Sequence, residues 1–286
     1  DLALEIFKNK YPKKFLHQLV SSQLDMDRMD YLNRDSFYTG VSEGVIGSDR
    51  IIEMMTVVDG ELVLEEKSIY SIEKFIVARR LMYWQVYLHK TVVSAEFMLI
   101  HVLRRAKELA LSNIEIFGSP ALLYFMKNKI TSKDFKENPI NLEYFAMLDD
   151  YDILGAIKVW QNHSDKVLSE LSKRLINRDL FKIEISQTKF TDADIEKIKL
   201  KISGELNITI DESAYFVYSD MLTNNAYNDE KENINLITKK GEVLDVSKAS
   251  DNLNISALSS PVEKYFLCYP IVKSTPARQL TIKHED

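Results

Sequence analysis

The chain has 286 residues, 45% of them hydrophobic, enough to bury a sizeable core as one large domain or one domain with an appendage. Its 37 basic and 43 acidic residues leave a net charge of −6, which argues against a general binder of nucleic acid or membrane surfaces. Any phosphate must then be held by a local pocket. The single cysteine, Cys268, excludes an intramolecular disulfide and a thiolate metal cluster and fits a reducing, cytoplasmic compartment.

The start, Asp1-Leu2-Ala3-Leu4-Glu5, is already amphipathic and has neither a basic leader region nor an initiator methionine, so a truncated or processed chain is expected. No apolar stretch approaches the ~18 residues of a membrane-spanning helix. From Asp1 to about Arg178 the pattern is helical. Phe15, Leu16, Leu19 and Val20 recur at helical spacing, as do Met26, Met29 and Leu32. Ile69–Leu111 is the longest periodic run; it lacks glycine and proline and is rich in helix formers. Breaks fall at Gly118-Ser119-Pro120 and Asn138-Pro139. Two more helices are expected near Leu148–Trp160 and Asp165–Ile176, with Ser164 capping the second.

After Phe181 the texture changes. Phe181–Ile185, Tyr215–Tyr218, Ile234–Ile237 and Lys264–Tyr269 are short, β-branched and aromatic, and read as strands. Thr191–Ser203 reads as one helix, Thr223–Asn233 as a loop, Lys239-Lys240-Gly241-Glu242 as a hairpin turn, and Lys273–Asp286 as an extended tail. The predicted architecture is a mainly α body over 1–182 followed by a smaller α+β region over 183–286.

The stretch that carries chemistry is Asp25-Met26-Asp27-Arg28-Met29-Asp30-Tyr31-Leu32-Asn33-Arg34-Asp35. On a helix, Asp27, Tyr31 and Asp35 share one face with Arg28 on its flank. Such a row offers a carboxylate for a hard metal ion, and a cation and a phenol for phosphate oxygens. The same spacing also fits a solvated face of ordinary ion pairs, although the interleaved Met and Tyr turn part of the row inward. Arg79, Tyr83 and Tyr87 form a second stripe at i, i+4 and i+8, suited to a phosphate and a sugar or base, or simply to a snorkelling arginine. The histidines His17, His89, His101, His163 and His284 form no short-range metal pair, and no glycine-rich phosphate loop is present. Cys268, inside Tyr265-Phe266-Leu267-Cys268-Tyr269, reads as a buried residue rather than a nucleophile.

The Asp25–Asp35 segment resembles the D-x-D-[KR]-x-D-Y-x-x-R-D motif of the dGTPase-like branch of HD-domain phosphohydrolases, which includes the vertebrate dNTPase with a SAM domain. Ser36-Phe37-Tyr38-Thr39-Gly40-Val41, Arg79 with Tyr87 and His89-Lys90, Leu148-Asp149-Asp150 and Arg174–Lys182 continue the likeness. The whole chain is similar to HD phosphohydrolases of Bacteroidetes-type bacteria.

The resemblance implies an HD-like helical body, a divalent metal ion (Mg, Mn, Fe, Zn, Ni or Co) and a homo-oligomer. It implies metal-assisted attack of water on a nucleoside triphosphate, a dNTP, releasing triphosphate. It casts Asp27 as the last metal ligand, Arg28 as a triphosphate contact, and Tyr31, Asp35, Arg79 and Tyr87 as sugar and phosphate contacts. The histidine and His-Asp pair that complete the metal set precede this segment in the family, and only His17 precedes it here; the chain by itself is therefore expected to be inactive. Leu88 stands where guanine-selective relatives carry glutamine, so dGTP preference does not carry over. A non-catalytic regulatory scaffold, or an HD phosphohydrolase of another nucleotide or a nucleic acid, remains the alternative, with long nucleic acid disfavoured by the acidic balance.

Overall fold

A computed structural model describes residues 1–224, 233–249 and 262–271. The fold is mainly helical with two small sheets, as the sequence predicts. In chain order the elements are α1 (Leu2–Phe7), α2 (Lys14–Val20), α3 (Met26–Thr39), α4 (Ser48–Glu53), β1 (Met55–Val58), β2 (Glu61–Glu65), α5 (Ile69–Met82), α6 (Lys90–Leu111), α7 (Pro120–Lys127), α8 (Ser132–Glu137), α9 (Ile140–Ala146) and α10 (Asp150–Trp160). They continue with α11 (Lys166–Ile176), β3 (Lys182–Ser186), α12 (Asp192–Leu206), β4 (Tyr218–Asn224), β5 (Asn235–Ile237), β6 (Val243–Asp245), α13 (Val246–Ala249) and β7 (Val262–Tyr269). Among the described residues no single helix is long and apolar enough to cross a membrane.

The chain divides into two compact units that are discontinuous in sequence: residues 1–89 with 221–264, and residues 90–220 with 265–286. This differs from the expected division near residue 182. The reason is strand pairing: β5 and β6, far along the chain, complete a sheet begun by β1 and β2.

In the first unit, α3 begins where the Asp25 carboxylate accepts the Arg28 backbone N–H at 2.8 Å, relieving an orphan donor of the first turn. It ends at Gly40, which takes a left-handed conformation. Its inward face buries Met29, Leu32 and Ser36, and Met29 and Leu32 share a core cluster with Ile72, Phe75, Ile76 and Met82 of α5. The short 3-10 turn Ser42–Gly44 lies tight against both helices. A Cβ on Gly44 would stand 2.7 Å from the Met82 sulfur and 2.9 Å from Ser36 Cβ, so only glycine fits.

The sheet runs β1-β2-β5-β6. β1 and β2 form a hairpin with Val58 opposite Glu61, closed by Asp59 and Gly60 at φ of 50° and 82°. Two positive φ values in a two-residue Asp-Gly loop match the twist of a right-handed hairpin. This hairpin lies inside the region read as helical, and corrects that reading. β5 joins β2 in parallel, Leu64 opposite Leu236, and returns antiparallel to β6 through the expected turn at Gly241.

In the second unit the buried face of α6 (Val93, Met98, Val102, Ala106) packs on α7 and α11. Val167, Leu168 and Leu171 of α11 and Trp160 of α10 complete this core. The cap of α11 is Asp165 rather than Ser164: its carboxylate accepts from the Leu168 N–H at 2.8 Å and also takes a two-pronged contact from Arg105 at 2.6 and 3.1 Å. One carboxylate serving both roles is favoured over a hydroxyl. β3 pairs antiparallel with β7, Ile183 opposite Cys268. The segment read as a strand at Tyr215–Tyr218 is a 3-10 turn over Glu212–Tyr215, with β4 starting at Tyr218. Cys268 is fully buried as expected, and burial pushes its thiol up to about 11. Most of the Thr223–Asn233 loop and all of the Lys273–Asp286 tail, with His284, lie outside the described residues.

Candidate functional site

The structure brings the two stripes together in the first unit. The single run expected over Ile69–Leu111 is interrupted by one turn of π-helix over Tyr83–Tyr87, with the Leu88 N–H reaching back to the Tyr83 carbonyl at 2.7 Å. Such inserted turns recur at functional sites because they re-aim side chains within an otherwise regular helix. Here the turn presents Tyr83 and Tyr87 to α3. Tyr87 donates its hydroxyl to Asp35 Oδ2 at 2.7 Å. Tyr31 meets Tyr87 edge-on at 5.9 Å, and Tyr83 meets Tyr87 the same way at 5.2 Å. The Arg79 guanidinium lies 5.9 Å from the Tyr83 ring centre.

Arg28 is held from the α3 N-terminus. Its Nε donates to the Ser22 carbonyl at 2.7 Å and stands 3.2 Å from the Asp25 carboxylate. Asp25, only 4% exposed, also accepts the Ser22 N–H at 3.1 Å. The first acid of the motif is therefore a cap and an arginine anchor. Its signal, an Asp just ahead of a periodic run, is legible in sequence. Tyr83 is the other member the resemblance did not single out, although the stripe spacing contains it.

Burial raises the Tyr31 phenol above its ordinary value, Tyr83 adds to this, and Arg79 and Arg28 oppose it. Tyr87 is also raised, first by burial and then by its bond to Asp35, so both phenols keep their protons and remain donors at neutral pH. Arg79 is partly buried, and its Nε is enclosed with no hydrogen-bond partner. Among the described residues the guanidinium makes no ion pair, and its neighbours are the Tyr83 ring and the Tyr31 phenol. A buried donor left unmet costs free energy that an incoming anion would recover.

Arg28, Tyr31, Asp35, Arg79 and Tyr87 thus converge. Asp27 does not join their contacts. It sits on the exposed side of the first turn of α3 and makes no hydrogen bond or ion pair among the described residues. Among those residues no group of three or more His, Cys, Asp or Glu is arranged to hold a metal. Asp27 offers one carboxylate; this donor set does not make a metal centre by itself. His17 is bound to the Ile6 carbonyl at 3.0 Å, and His163 to the Glu115 carbonyl at 3.0 Å.

Residues 46–129 match the family described as the HD associated region. The solved structure of a phosphohydrolase from Bacteroides thetaiotaomicron matches with a TM-score of 0.90 and 56% identity, over 94% of this chain and 67% of that one. The uncharacterized protein YwfO of Bacillus subtilis is 34% identical over 258 residues, 87% of this chain and 56% of its own length. A deoxynucleoside triphosphate triphosphohydrolase SAMHD1 homolog of Dictyostelium discoideum is 31% identical over 99 residues, 34% of this chain and 19% of its own length. The chain belongs to the HD-type phosphohydrolase family. It spans about half the length of the curated relatives it matches.

Proposed function

We propose that the protein hydrolyses a nucleoside triphosphate of the deoxy type, and that this chain supplies the sugar and phosphate side of the site. The observation that carries this reading is Arg79: a partly buried guanidinium with an unmet Nε, beside Tyr83 and acting with Arg28 on Tyr31. Structural arginines find carboxylates; one that pairs with none among the described residues suits a phosphate that arrives later.

In this reading Arg28 and Arg79 bind phosphate oxygens and offset the negative charge that grows on them as the ester bond breaks. Tyr31 and Tyr87 form the floor under the sugar. Asp35 fixes the Tyr87 hydroxyl, and its other oxygen is available to a sugar hydroxyl. A ring pressed against the sugar leaves no room for a 2′-hydroxyl, which selects the deoxy form. Asp27 would offer one carboxylate to a divalent metal completed by ligands beyond those described, and such a metal would supply an activated water and charge neutralisation. The exposed position of Asp27, clear of internal partners, leaves its oxygens available for that role. Leu88 contributes no hydrogen bond to a base edge, so discrimination among bases is weak at that position. A homo-oligomer and a cytoplasmic setting complete the proposal.

The test is triphosphate release from a panel of dNTPs and rNTPs by the intact protein, followed by ion chromatography. Release from dNTPs that falls at least tenfold in Arg79→Met supports the reading. Hydrolysis indifferent to that change, or rNTPs cleaved as fast as dNTPs, overturns it.

A further inference from the structure

The second unit holds a cleft that the proposed hydrolase site does not use. It has a volume of about 370 Å³ and lies between α6, α12 and the start of β4. That volume lies in the ~300–1,000 Å³ range of small-molecule sites. Its aromatic floor is Tyr218, which stacks on His101 at 4.4 Å and 16° and on Phe97 at 5.5 Å and 21°. Ile195 and Val217 extend the apolar wall, and Ile100 stands at its edge 42% exposed.

The polar groups converge on the same space. His101 lines the cleft and is only 5% exposed, yet its Nδ1 has no hydrogen-bond partner. Buried ring nitrogens nearly always find a partner; this one is enclosed behind the cleft surface, so a ligand or water reaches it as the wall shifts to admit it. Arg104, one helical turn on, is exposed and makes no hydrogen bond or ion pair among the described residues. Lys199 faces the same cleft from α12, with one contact to Glu196 at 2.7 Å. Asp220 lies in the lining too. Arg104 and Lys199, the latter shared with Glu196, stand beside Asp220 and suit an anion of low charge, since a triphosphate beside these carboxylates would meet repulsion.

We propose that this cleft binds a small ring-bearing phosphomonoester, its ring against the Phe97–Tyr218 wall and its phosphate on Arg104 and Lys199. His101 meets the ring edge or the ester oxygen as a neutral imidazole. None of these residues belongs to the cluster around Tyr87 and Asp35, and the proposal stands whether or not that cluster hydrolyses dNTPs.

The experiment titrates the intact protein, labelled with ¹⁵N-histidine, with AMP as the probe, and with adenosine and inorganic phosphate separately. Saturable AMP binding that shifts the His101 ring nitrogens is expected. Arg104→Glu with Lys199→Glu should weaken it at least tenfold, His101→Phe several-fold, and Arg79→Met not at all. A circular-dichroism melt of each variant shows that it folds. Overturning outcomes are no saturable AMP binding, AMP binding lost in Arg79→Met but kept in the Arg104/Lys199 variant, or phosphate alone or adenosine alone binding as tightly as AMP.

Discussion

Tyr87 donates its hydroxyl to Asp35 across 2.7 Å, tying the π-turn after α5 to the outer half of α3. The pair is partly buried, so the bond sets the distance between the two elements that carry the candidate site. Tyr87→Phe removes the donor and leaves an acceptor behind, at an expected cost of about 1–2 kcal/mol. Asp35→Asn should cost a similar amount, and the double variant less than the sum, with a coupling of about 1 kcal/mol. Urea denaturation of the four proteins measures this; strictly additive losses would show that the two groups do not act as a pair.

Arg79 makes the opposite prediction. Arg79→Met loses a cation–ring contact worth about 0.5–1 kcal/mol and relieves a buried donor whose isolation costs about 1–3 kcal/mol. Its thermal midpoint should therefore stay level or rise, while affinity for a non-hydrolysable dNTP analogue falls at least tenfold. Groups kept for binding commonly trade against stability in this way. A clear drop in the midpoint would mark Arg79 as a structural residue.

Much of this was legible in the sequence. Helix α3 announces itself by the Asp25 cap and the Met29, Leu32 spacing, and the row Tyr31, Asp35 follows from helical geometry alone. The stripe Arg79, Tyr83, Tyr87 was legible too. That the two rows meet was not, because the Tyr87–Asp35 bond is tertiary and only the family likeness pointed to it. The π-turn leaves no trace in the Tyr83–Tyr87 spacing. The hairpin at Asp59-Gly60 carried a readable turn signal, but its four- and five-residue strands lie between helical segments. Their pairing with β5 comes from residues far along the chain.

Gly44 should tolerate no side chain. In Gly44→Ala the new methyl meets the Met82 sulfur at 2.7 Å, Ser36 Cβ at 2.9 Å and the Leu32 carbonyl at 3.0 Å. Methionine can yield, but the helix backbone of α3 cannot, and overpacking of this kind costs about 1–3 kcal/mol. The denaturation midpoint should fall accordingly. Against a Met82→Ala background the penalty should shrink without vanishing. An unchanged midpoint in Gly44→Ala would show that the 3-10 turn shifts freely away from α3.

His101 gives the second unit a defined acid limb. Burial, aided by the positive charge of Arg104, lowers its folded pKa from 6.5 to about 4. The unfolded chain therefore binds the proton first. Between about pH 6.5 and pH 4 the unfolded state holds more protons than the folded one, so stability falls as pH drops through that window and is fully present above it. The buried ring can contribute at most about 3 kcal/mol, less whatever water reaches it. The carboxylate of Asp165, whose pKa is lowered by the Arg105 contact and the Leu168 N–H despite its burial, loses its contribution only at more acid pH, as the folded group is protonated. The two limbs are separable by comparing His101→Phe with the parent in urea melts from about pH 2 to pH 7.5. The variant should lose the slope between about pH 6.5 and pH 4 and keep the fall at more acid pH, and an identical slope in both proteins would mean that His101 takes up its proton without unfolding.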